Sequence, residues 1–408
     1  MSEIQEKANY CLSCPKPRCE SGCPTTNHIR DFIRDIKLDH LEDAAHTLYS
    51  VNPFPEFTSR LCDTARQCRG NCVRGIRGEA VHINFIERYI SDHVKRDDDV
   101  KESNGRKIAI VGAGISSLAC ARSLALDGYR VEIFEKEEKI GGAIYTGIPA
   151  YRFDKIHLEN LYKEMLSIGV IFHFGVTVGK DVTIDNLLFR FDRVLVAIGA
   201  QVENTFGLEA EEGCVAGLSL LYDLNVLGKK AEYKKKYKKA VVWGGGNVAM
   251  DCARSLIRIM DDVSIIYRRG LKEMPAAVDE IESAQKEGVK ILFLNNIKEL
   301  KKDDKGKVTG VKAVKMELGE PDESGRASFH EVENSEYELD VDLVVPAIGQ
   351  KVDLEFIKPG LAKGSDGHKL NQDRLYFSGD CFLGPKTVAH CIKDGKDVAL
   401  EIMSSFSA

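Results

Sequence analysis

The sequence contains no apolar run near the roughly twenty residues that a membrane-spanning helix needs. Its polar first residues, MSEIQEKANY, lack the apolar core of a signal peptide. A formal net charge of -6 gives no electrostatic reason to expect nucleic acid or an acidic membrane surface as a partner. We therefore expect a cytoplasmic protein, and its 408 residues allow two or three domains.

Cysteine, in contrast, is abundant for a protein whose thiols should stay reduced and unpaired. Seven of the twelve cysteines lie in the first 72 residues, with the spacing C-x2-C-x4-C-x3-C-P followed by C-x5-C-x3-C. They are Cys11, Cys14, Cys19, Cys23, Cys62, Cys68 and Cys72. In ferredoxin-like runs of this kind, the last cysteine before a proline binds a different cluster from its neighbours. Structural zinc is the main competing interpretation, although only Cys11 and Cys14 have the C-x2-C spacing typical of zinc.

Two later segments repeat one pattern about 130 residues apart. They are KIAIVGAGISSLACARSLALDGYRVEIFEK and KAVVWGGGNVAMDCARSLIRIMDDVSIIYRR. Each predicts a short strand, a glycine turn, a helix and a second strand, which is the βαβ unit of dinucleotide-binding domains. The fold class is therefore α/β, with two doubly wound dinucleotide-binding domains after an α-helical cysteine domain.

A second related pair of segments predicts how these domains are connected. FDRVLVAIGAQ (191–201) and VDLVVPAIGQK (341–351) are apolar strands that each end in Ala-Ile-Gly. Such strands carry the chain out of one domain and back into it. We predict a helical domain at 1–98, a first nucleotide domain at 99–202 and 345–408, and a second one inserted at 203–344.

The first glycine turn has the spacing Gly112-x-Gly114-x-x-Ser117. The first glycine permits the turn, the second lets the backbone approach a pyrophosphate, and the small third residue lets helix and strand pack closely. Glu135 follows 23 residues after Gly112, at the end of the next strand, where an acid can accept hydrogen bonds from ribose hydroxyls. A glycine turn of an unrelated α/β protein is the alternative.

The second turn, Gly244-x-Gly246-x-x-Ala249 with Asn247 after its second glycine, differs after the second strand. Tyr267 aligns with Glu135, and Arg268 and Arg269 follow it. A basic pair in place of an acid favours the 2′-phosphate of NADP over the free hydroxyl of NAD. The alternative is a solvated surface pair.

Two further segments favour FAD for the first site and NADPH for the second. One is IGGAIYTGIPAYR (140–152), which contains Gly142 and Arg152. The other is LYFSGDCFLGPKTVAHCIKDGKDVA (375–399), where we predict a strand ending at Gly379-Asp380 and a helix beginning near Thr387. Asp380 can bind a ribityl or phosphate group or cap a helix. The N-terminus of the following helix would stabilise negative charge on a reduced flavin ring.

Taken together, these motifs resemble those of the small, electron-transferring subunit of bacterial glutamate synthase. The same module occurs in the N-terminal half of dihydropyrimidine dehydrogenase and in the large subunit of NADH-dependent ferredoxin:NADP oxidoreductase. The resemblance covers essentially the whole chain, and its most specific motifs are the cysteine pattern, GIPAYR, GGGNVAMD, YRRGLKEMPA and GDCFLGPKTV. One departure is Ile115-Ser116-Ser117, where the family usually has Pro-Ala-Gly.

The resemblance implies two [4Fe–4S] clusters, one bound by Cys11, Cys14, Cys19 and Cys72 and the other by Cys23, Cys62 and Cys68. Two cubanes need eight ligands, so it also implies a ligand other than cysteine in the helix after the second group. Glu87 is the only anionic side chain of HINFIERYI and is our candidate. A solvated helix residue is the alternative.

These cofactors imply electron transfer from NADPH through FAD to clusters that feed a partner, without a catalytic acid–base pair in this chain. The resemblance makes a glutamate synthase large subunit the first candidate partner. A pyrimidine reductase or a ferredoxin-type acceptor in a ferredoxin:NADP transhydrogenase is the second. A redox-sensing regulator that binds nucleotides without turnover is a hypothesis from another class.

Overall fold

The computed structural model describes residues 2–407 except 206, 211, 322–326, 358–364, 367 and 371–373. Its described residues form two compact units. Unit 1 comprises residues 1–145, 151–200 and 352–408, and unit 2 comprises residues 146–150 and 201–351. The three domain boundaries expected from the sequence stay a prediction, since the cysteine-rich segment lies within unit 1.

The cysteine-rich segment of unit 1 is helical, as its apolar spacing predicts. Its core contains the fully buried side chains of Phe32, Leu48 and Ile86. Cys19 lies in the short helix Arg18–Ser21, and the other six cysteines lie in the loops between helices, where Cys72 precedes a 3₁₀ turn at Val73–Ile76. The helices are α1 (Glu3–Asn9), α2 (Arg18–Ser21), α3 (Ile29–Lys37), α4 (Leu41–Tyr49), α5 (Pro55–Leu61) and α6 (Ile83–His93).

The first βαβ copy begins after a loop at 95–106. The sequence predicts a solvated linker there, but Arg96 and Asp98 form an ion pair at 2.9 Å, so that part of the linker is fixed. The strands are β1 (Lys107–Val111), β2 (Arg130–Phe134), β3 (Ile171–His173) and β4 (Arg193–Val196). The helices are α7 (Ile115–Leu126), α8 (Ala143–Thr146), α9 (Ile156–Ser167) and α10 (Ile184–Arg190).

Unit 2 contains the second copy. Four parallel strands form its main sheet, in the order β13-β6-β7-β8, and β9 to β12 form a separate antiparallel sheet. The helices are α11 (Gly217–Asn225), α12 (Lys230–Lys236), α13 (Asn247–Ile257) and α14 (Val278–Lys286). The strands are β5 (Val202–Glu203), β6 (Lys239–Trp243), β7 (Asp262–Tyr267), β8 (Lys290–Phe293), β9 (Asn295–Lys302), β10 (Val308–Pro321), β11 (Ala327–Glu331), β12 (Tyr337–Leu339), β13 (Leu343–Pro346) and β14 (Gln350–Lys351).

The last segment returns to unit 1 and completes its sheet. It contributes β15 (Ser365–Asp366), β16 (Lys369–Leu370), β17 (Leu375–Phe377), α15 (Asp380–Leu383) and α16 (Val388–Ser404). The described strands have the order β15-β16-β17-β4-β1-β2-β3, in which β17 and β1 to β4 run parallel. The expected α/β class with two parallel sheets is therefore confirmed. Among the described residues, none of the helices has the length and apolarity to cross a membrane.

Candidate functional site

Four cysteines of the N-terminal segment line one cavity. They are Cys11, Cys14, Cys19 and Cys72, and the rest of the wall includes apolar side chains, such as Ile29 and Ile33, and three arginines (Arg18, Arg30 and Arg74). Short elements position the thiols, because Cys19 lies in α2 and Cys72 caps the 3₁₀ turn Val73–Ile76. Four sulfur ligands around a common space are the donor set of a cubane cluster, and the residues therefore fit one.

Basic side chains hold the loop that carries Cys11 and Cys14. Lys37 donates from Nζ to the carbonyl of Cys11 at 2.7 Å and to the hydroxyl of Ser13 at 2.9 Å. Arg74 lies 4.1 Å over the Tyr10 ring, and its Nε donates to the Tyr10 carbonyl at 2.8 Å. These contacts fix the backbone of the loop.

The second cysteine group, which we define as Cys23, Cys62 and Cys68, lies near Glu87. Burial raises the pKa of the Cys62 and Cys68 thiols well above their ordinary value, and the Glu87 carboxylate raises both further. The Cys23 thiol lies 3.2 Å from the Thr25 hydroxyl, and burial raises its pKa too. A bound metal cation would displace the protons of such buried thiols, because its positive charge stabilises the thiolates.

Glu87 is only 6% exposed, so the alternative that it is a solvated helix residue is wrong. Its Oε1 accepts hydrogen bonds from Thr58 at 2.5 Å, Asn52 at 3.1 Å and Asn27 at 3.4 Å. Burial raises the pKa of Glu87 to about 7 against these three hydrogen bonds. No motif points to the three polar residues, because they come from separate loops and helices.

No group of three or more His, Cys, Asp or Glu side chains in the described ranges is arranged to hold a single metal ion. A tetrahedral zinc site needs four ligands about 2.0–2.3 Å from one ion. Ligands of a cubane instead stand apart, since each binds its own iron at a separate corner of the cluster.

The first glycine turn has the close backbone approaches that its spacing predicts. A Cβ on Gly112 would lie 2.7 Å from the carbonyl oxygen of Ala197, and φ of Gly112 is +94°. The 140–142 loop lies on this turn, because a Cβ on Gly142 would be 3.1 Å from the Cα of Gly114. Ser117 is fully buried, as expected for a small residue between helix and sheet.

Glu135 directly follows β2, as the sequence predicts. Its Oε2 accepts from the amide of Ala113 at 2.6 Å, and its Oε1 accepts from the amide of Glu137 at 2.9 Å. Burial raises its pKa, and these two amides oppose the shift. Glu135 therefore holds the backbone of the glycine turn through its hydrogen bond to the amide of Ala113.

Gly379 and Asp380 lie at the end of β17, beside the same glycine turn. A Cβ on Gly379 would be 2.9 Å from the Cβ of Ser116. The carboxylate of Asp380 accepts from the amide of Lys386 at 2.9 Å and so braces the loop before α16. Thr387 is the N-cap of α16, where the sequence places the start of that helix.

Arg152 is half-buried in the turn before α9. Phe153, next to it, is buried and lies 5.0 Å from Phe57 of α5, ring centroid to ring centroid. The turn that carries Arg152 therefore packs against the cysteine-rich segment.

A buried polar chain, invisible to motif reading, supports the end of β17. The hydroxyl of Ser116 lies 2.5 Å from that of Ser378, which donates to Asp394 at 2.7 Å. Asp394 also accepts from the amide of Gly379 at 2.6 Å and lies 2.8 Å from Nε2 of His368. Ser116 belongs to the Ile-Ser-Ser departure from the family pattern, and its hydroxyl thus has a structural partner.

The second glycine turn repeats the first. A Cβ on Gly244 would lie 2.2 Å from the carbonyl oxygen of Ala347, within the Ala-Ile-Gly segment that corresponds to the one at Ala197. Gly246 has open space at its Cβ position among the described residues, and Ala249 is fully buried. Asn247 accepts from the amide of Ala277 at 2.9 Å, so its side chain holds the end of the YRRGLKEMPA segment.

The two arginines after β7 differ in exposure. Arg269 is 4% exposed and donates from Nε to the carbonyl of Ala327 at 2.7 Å, so the alternative of a solvated pair is wrong for it. Both guanidinium groups stack on Phe329, Arg268 at 4.2 Å and Arg269 at 4.9 Å. Tyr267, which replaces the acid of the first copy, donates to the carbonyl of Glu273 at 2.7 Å.

Comparisons with known proteins agree with this architecture. Residues 1–99 match the family described as dihydropyrimidine dehydrogenase domain II, 4Fe-4S cluster. Residues 106–395 match the pyridine nucleotide-disulphide oxidoreductase family.

Two curated relatives illustrate the similarity. The glutamate synthase [NADPH] small chain of Escherichia coli is 32% identical over 98% of this chain and 91% of its own length. The NADP(+)-dependent formate dehydrogenase subunit beta of Moorella thermoacetica is 33% identical over 94% of this chain and 59% of its own length. Among solved structures, FprA of Mycobacterium tuberculosis in complex with NADPH covers 74% of this chain and 85% of its own, at 20% identity and a TM-score of 0.63.

Proposed function

Because this chain belongs to the glutamate synthase small chain family, within the pyridine nucleotide-disulphide oxidoreductases, we propose that it is the electron-input subunit of a larger enzyme. The observation that carries this proposal is the presence of two dinucleotide turns and a cysteine-lined cluster segment in one chain. The chain is an NADPH-dependent oxidoreductase with FAD and iron–sulfur chemistry. When bound, its cofactors convert a hydride from NADPH into single electrons.

Two [4Fe–4S] clusters fit the arrangement of the N-terminal residues. Cys11, Cys14, Cys19 and Cys72 line one cavity and would hold the first cluster. Cys23, Cys62, Cys68 and Glu87 are electrostatic neighbours and would hold the second. All three hydrogen bonds that described residues make to Glu87 end on Oε1, so Oε2 keeps the lone pairs that a metal ligand needs.

FAD is assigned to the unit 1 turn and NADPH to the unit 2 turn. Gly112, Gly114 and Gly142 would let the FAD pyrophosphate approach the backbone, and the small Ser117 would let helix and strand pack closely. Glu135 would accept hydrogen bonds from the ribose, and Arg152 would donate hydrogen bonds to FAD. Gly379, Asp380 and Thr387 would border the flavin end of the site. In unit 2, Gly244, Gly246, Asn247 and Ala249 form the corresponding turn, and Arg268 is the more accessible of the two candidate 2′-phosphate ligands.

We assign a glutamate synthase large subunit as the partner, since a small chain of that enzyme is 32% identical over nearly the full chain. The electrons would then reduce an imine formed from 2-oxoglutarate and ammonia. The similarity to a formate dehydrogenase subunit beta supports a second candidate, in which the same module serves another electron-transfer complex, such as a pyrimidine reductase or a ferredoxin-linked transhydrogenase.

Anaerobic absorbance spectroscopy of the purified chain, combined with iron and flavin analysis, tests the proposal. We expect about one FAD and about eight irons per chain, the iron content of two cubanes. Addition of NADPH should bleach the flavin, and a one-electron dye should then be reduced over many turnovers. Flavin bleaching without turnover of the dye would instead indicate a redox sensor. An iron content of about four would contradict the second cluster.

A reconstitution experiment tests the partner. The chain is mixed with a glutamate synthase large subunit, and NADPH oxidation is followed with 2-oxoglutarate and glutamine present. We expect oxidation to depend on both substrates and on the large subunit. Oxidation that ignores the large subunit, with dye reduction intact, would favour the second candidate.

A further inference from the structure

One hydrogen-bonded chain joins the second cysteine group to the first turn of α16. Gln67, which precedes Cys68, donates from Nε2 to the Thr387 hydroxyl at 3.2 Å. That hydroxyl lies 2.7 Å from Nδ1 of His390. The motifs assign no role to Gln67 or His390, and the sequence separates Gln67 from Thr387 by 320 residues.

The direction of these bonds follows from the donors available. An amide nitrogen only donates, so the Thr387 oxygen accepts from Gln67 and its own proton points to His390. Nδ1 of His390 must then be the acceptor, which selects the neutral tautomer with the proton on Nε2. Burial lowers the pKa of His390, and the charge of Lys386 lowers it further, in agreement with a neutral ring.

Thr387 is thereby diverted from the usual role of a helix N-cap. Its side chain makes no capping hydrogen bond to the amides of α16, all of which the structure describes. The first turn of α16 therefore receives no side-chain cap from Thr387, and the N-terminus of a 17-residue helix carries a partial positive charge. The hydroxyl instead fixes the loop before Cys68, and Gln67 is 8% exposed, so this bond is shielded from water.

Other contacts hold the same two segments together at a distance from this chain. Lys396 of α16 donates from Nζ to the carbonyl of Val51, which precedes α5. Cys62 caps the far end of α5, so α5 joins this contact to the second cysteine group. The two segments therefore stay in contact without the Gln67 hydrogen bond, which fixes only the position of the loop before Cys68.

We propose that Gln67 and Thr387 are positioning residues that hold the Cys62–Cys68 loop at a fixed separation from the flavin end of α16. Together they control electron transfer between the flavin and the cluster of the second cysteine group. The proposal rests on the function proposed above. Thiolate ligands on a loop that moves away from the helix would lengthen the electron's path and slow its transfer.

The test compares Gln67→Leu and Thr387→Val, which remove the donor and the hydroxyl with little change of volume, with the double variant. Thr387→Ser keeps the hydroxyl and is the matched control. Rapid-mixing absorbance separates flavin reduction by NADPH from the later passage of electrons to the cluster, which electron paramagnetic resonance detects. Hydrogen–deuterium exchange of the 62–72 segment reports on the loop itself.

For Gln67→Leu we expect flavin reduction by NADPH to stay unchanged and electron passage to the cluster to slow about fivefold, the factor that one ordinary hydrogen bond contributes to an equilibrium. Amides at 62–72 should exchange faster by a similar factor. The double variant should slow electron passage no more than Gln67→Leu does, and Thr387→Ser should leave the exchange of the amides at 62–72 as it is in the wild-type protein. Full cofactor content with unchanged transfer and exchange would overturn the proposal.

If Gln67→Leu loses its cluster, Gln67→Asn provides a milder change. The proposal is wrong if Asn at position 67 leaves both the transfer rate and the exchange rate as they were. If the wild-type protein contains no flavin or iron, the proposed function itself is wrong. The failure of the positioning proposal and the failure of the proposed function are therefore distinguishable.

Discussion

The two βαβ copies share a buried arginine at the same helix position, yet they use it differently. Arg254 of unit 2 makes a bidentate ion pair with Glu287, at 2.6 and 3.0 Å, and a second pair with Glu280. Both partners come from α14 or its end, so the arginine joins neighbouring helices of its own copy. Arg122 of unit 1 pairs instead with Asp98, in the loop that follows the cysteine-rich segment.

The same asymmetry recurs in the glycine motif. Ser116 of the first copy joins the buried chain through Ser378 to Asp394, while the aligned Val248 packs against the apolar core of unit 2. The first copy thus connects to the loop after the cysteine-rich segment and to β17 and α16, and the second connects to α14, which directly follows it in the chain. A repeat suited to binding a dinucleotide also serves, in one copy, to fix the segments that surround it.

The largest expected effect breaks each copy at its first glycine. Gly112→Ala and Gly244→Ala place a Cβ against the carbonyl oxygens of Ala197 and Ala347 at positive φ. Strain and overpacking together should cost about 2–5 kcal/mol of unfolding free energy. We expect Gly112→Ala to lose FAD and Gly244→Ala to lose only NADPH binding, measured by flavin content and nucleotide titration.

The second glycine of each turn supplies the control. A Cβ added to Gly114 or Gly246 would meet no atom within 4 Å among the described residues other than the glycine's chain neighbours and its own helix backbone. Alanine there should therefore preserve stability while obstructing the cofactor. Equal thermal stability of Gly112→Ala and Gly114→Ala would show that the close approach to Ala197 is unimportant.

The next effect sharpens the comparison of the arginines. Arg254→Met removes a cation shared by two partly buried carboxylates and leaves Glu287 with Arg258, at 2.8 Å, so we expect a loss of about 2–4 kcal/mol in urea unfolding. Arg122→Met should cost less, about 1–2 kcal/mol, because Arg96 still pairs with Asp98 at 2.9 Å. Equal losses would mean that the different ion-pair partners of the two arginines do not affect stability.

A smaller effect concerns nucleotide choice in the second copy. Arg268→Ala removes the charged donor that we propose for the 2′-phosphate and should weaken NADPH binding about ten- to a hundredfold, with NADH binding unchanged. Lys290→Ala is the control. Lys290 begins β8 and pairs with Asp262 at the start of β7, whereas Arg268 follows the end of β7. Fluorescence titration with both nucleotides gives the dissociation constants, and parallel losses for NADPH and NADH would refute the assignment.

The smallest effect is a difference in pH dependence. Burial alone would lower the pKa of His368, but hydrogen bonds to Asp394 and Glu401 raise it above 6.5. Its stabilisation is complete below pH 6.5 and is lost as pH rises through the raised pKa. Hydrogen bonds from Arg254 and then Arg258 lower the pKa of Glu287 to about 2, so its stabilisation exists above 4.5 and is lost as pH falls toward 2.

Thermal unfolding across this pH range measures the difference. His368→Asn should flatten the alkaline side by a few degrees, and Glu287→Gln should flatten the acid side, since about 1 kcal/mol shifts the midpoint of such units by roughly 2–4 °C. Identical profiles for the two variants would contradict the separate origins of these effects.

The sequence predicts the local parts of both sites and misses the long-range ones. Gly112 and Gly244 could be found because a strand, a turn and a helix within about thirty residues define their role. The ion-pair partners of Arg122 and Arg254 could not be predicted, because the two arginines occupy equivalent positions of the two helices and yet pair with residues from different segments. Glu87 became the candidate ligand from the family resemblance and its charge, whereas its burial depends on loops that meet only in the folded protein.

The site roles themselves stay predictions where no ligand contact bears on them. Arg269 shows why, because the sequence pairs it with Arg268 while the fold turns it inward to the carbonyl of Ala327. Gln67 was missed for a related reason. Nothing near it in the sequence points to Thr387.

The bond between Gln67 and Thr387 has a consequence for how the protein is made. A ribosome adding about 5–20 residues per second needs roughly 16–64 s to synthesise the 320 residues that separate the two side chains. During most of that interval the second cysteine group has left the ribosome and α16 has not yet been synthesised. Iron loaded early would meet a loop still free to move, so the order of translation favours cluster assembly after α16 has been synthesised and packed.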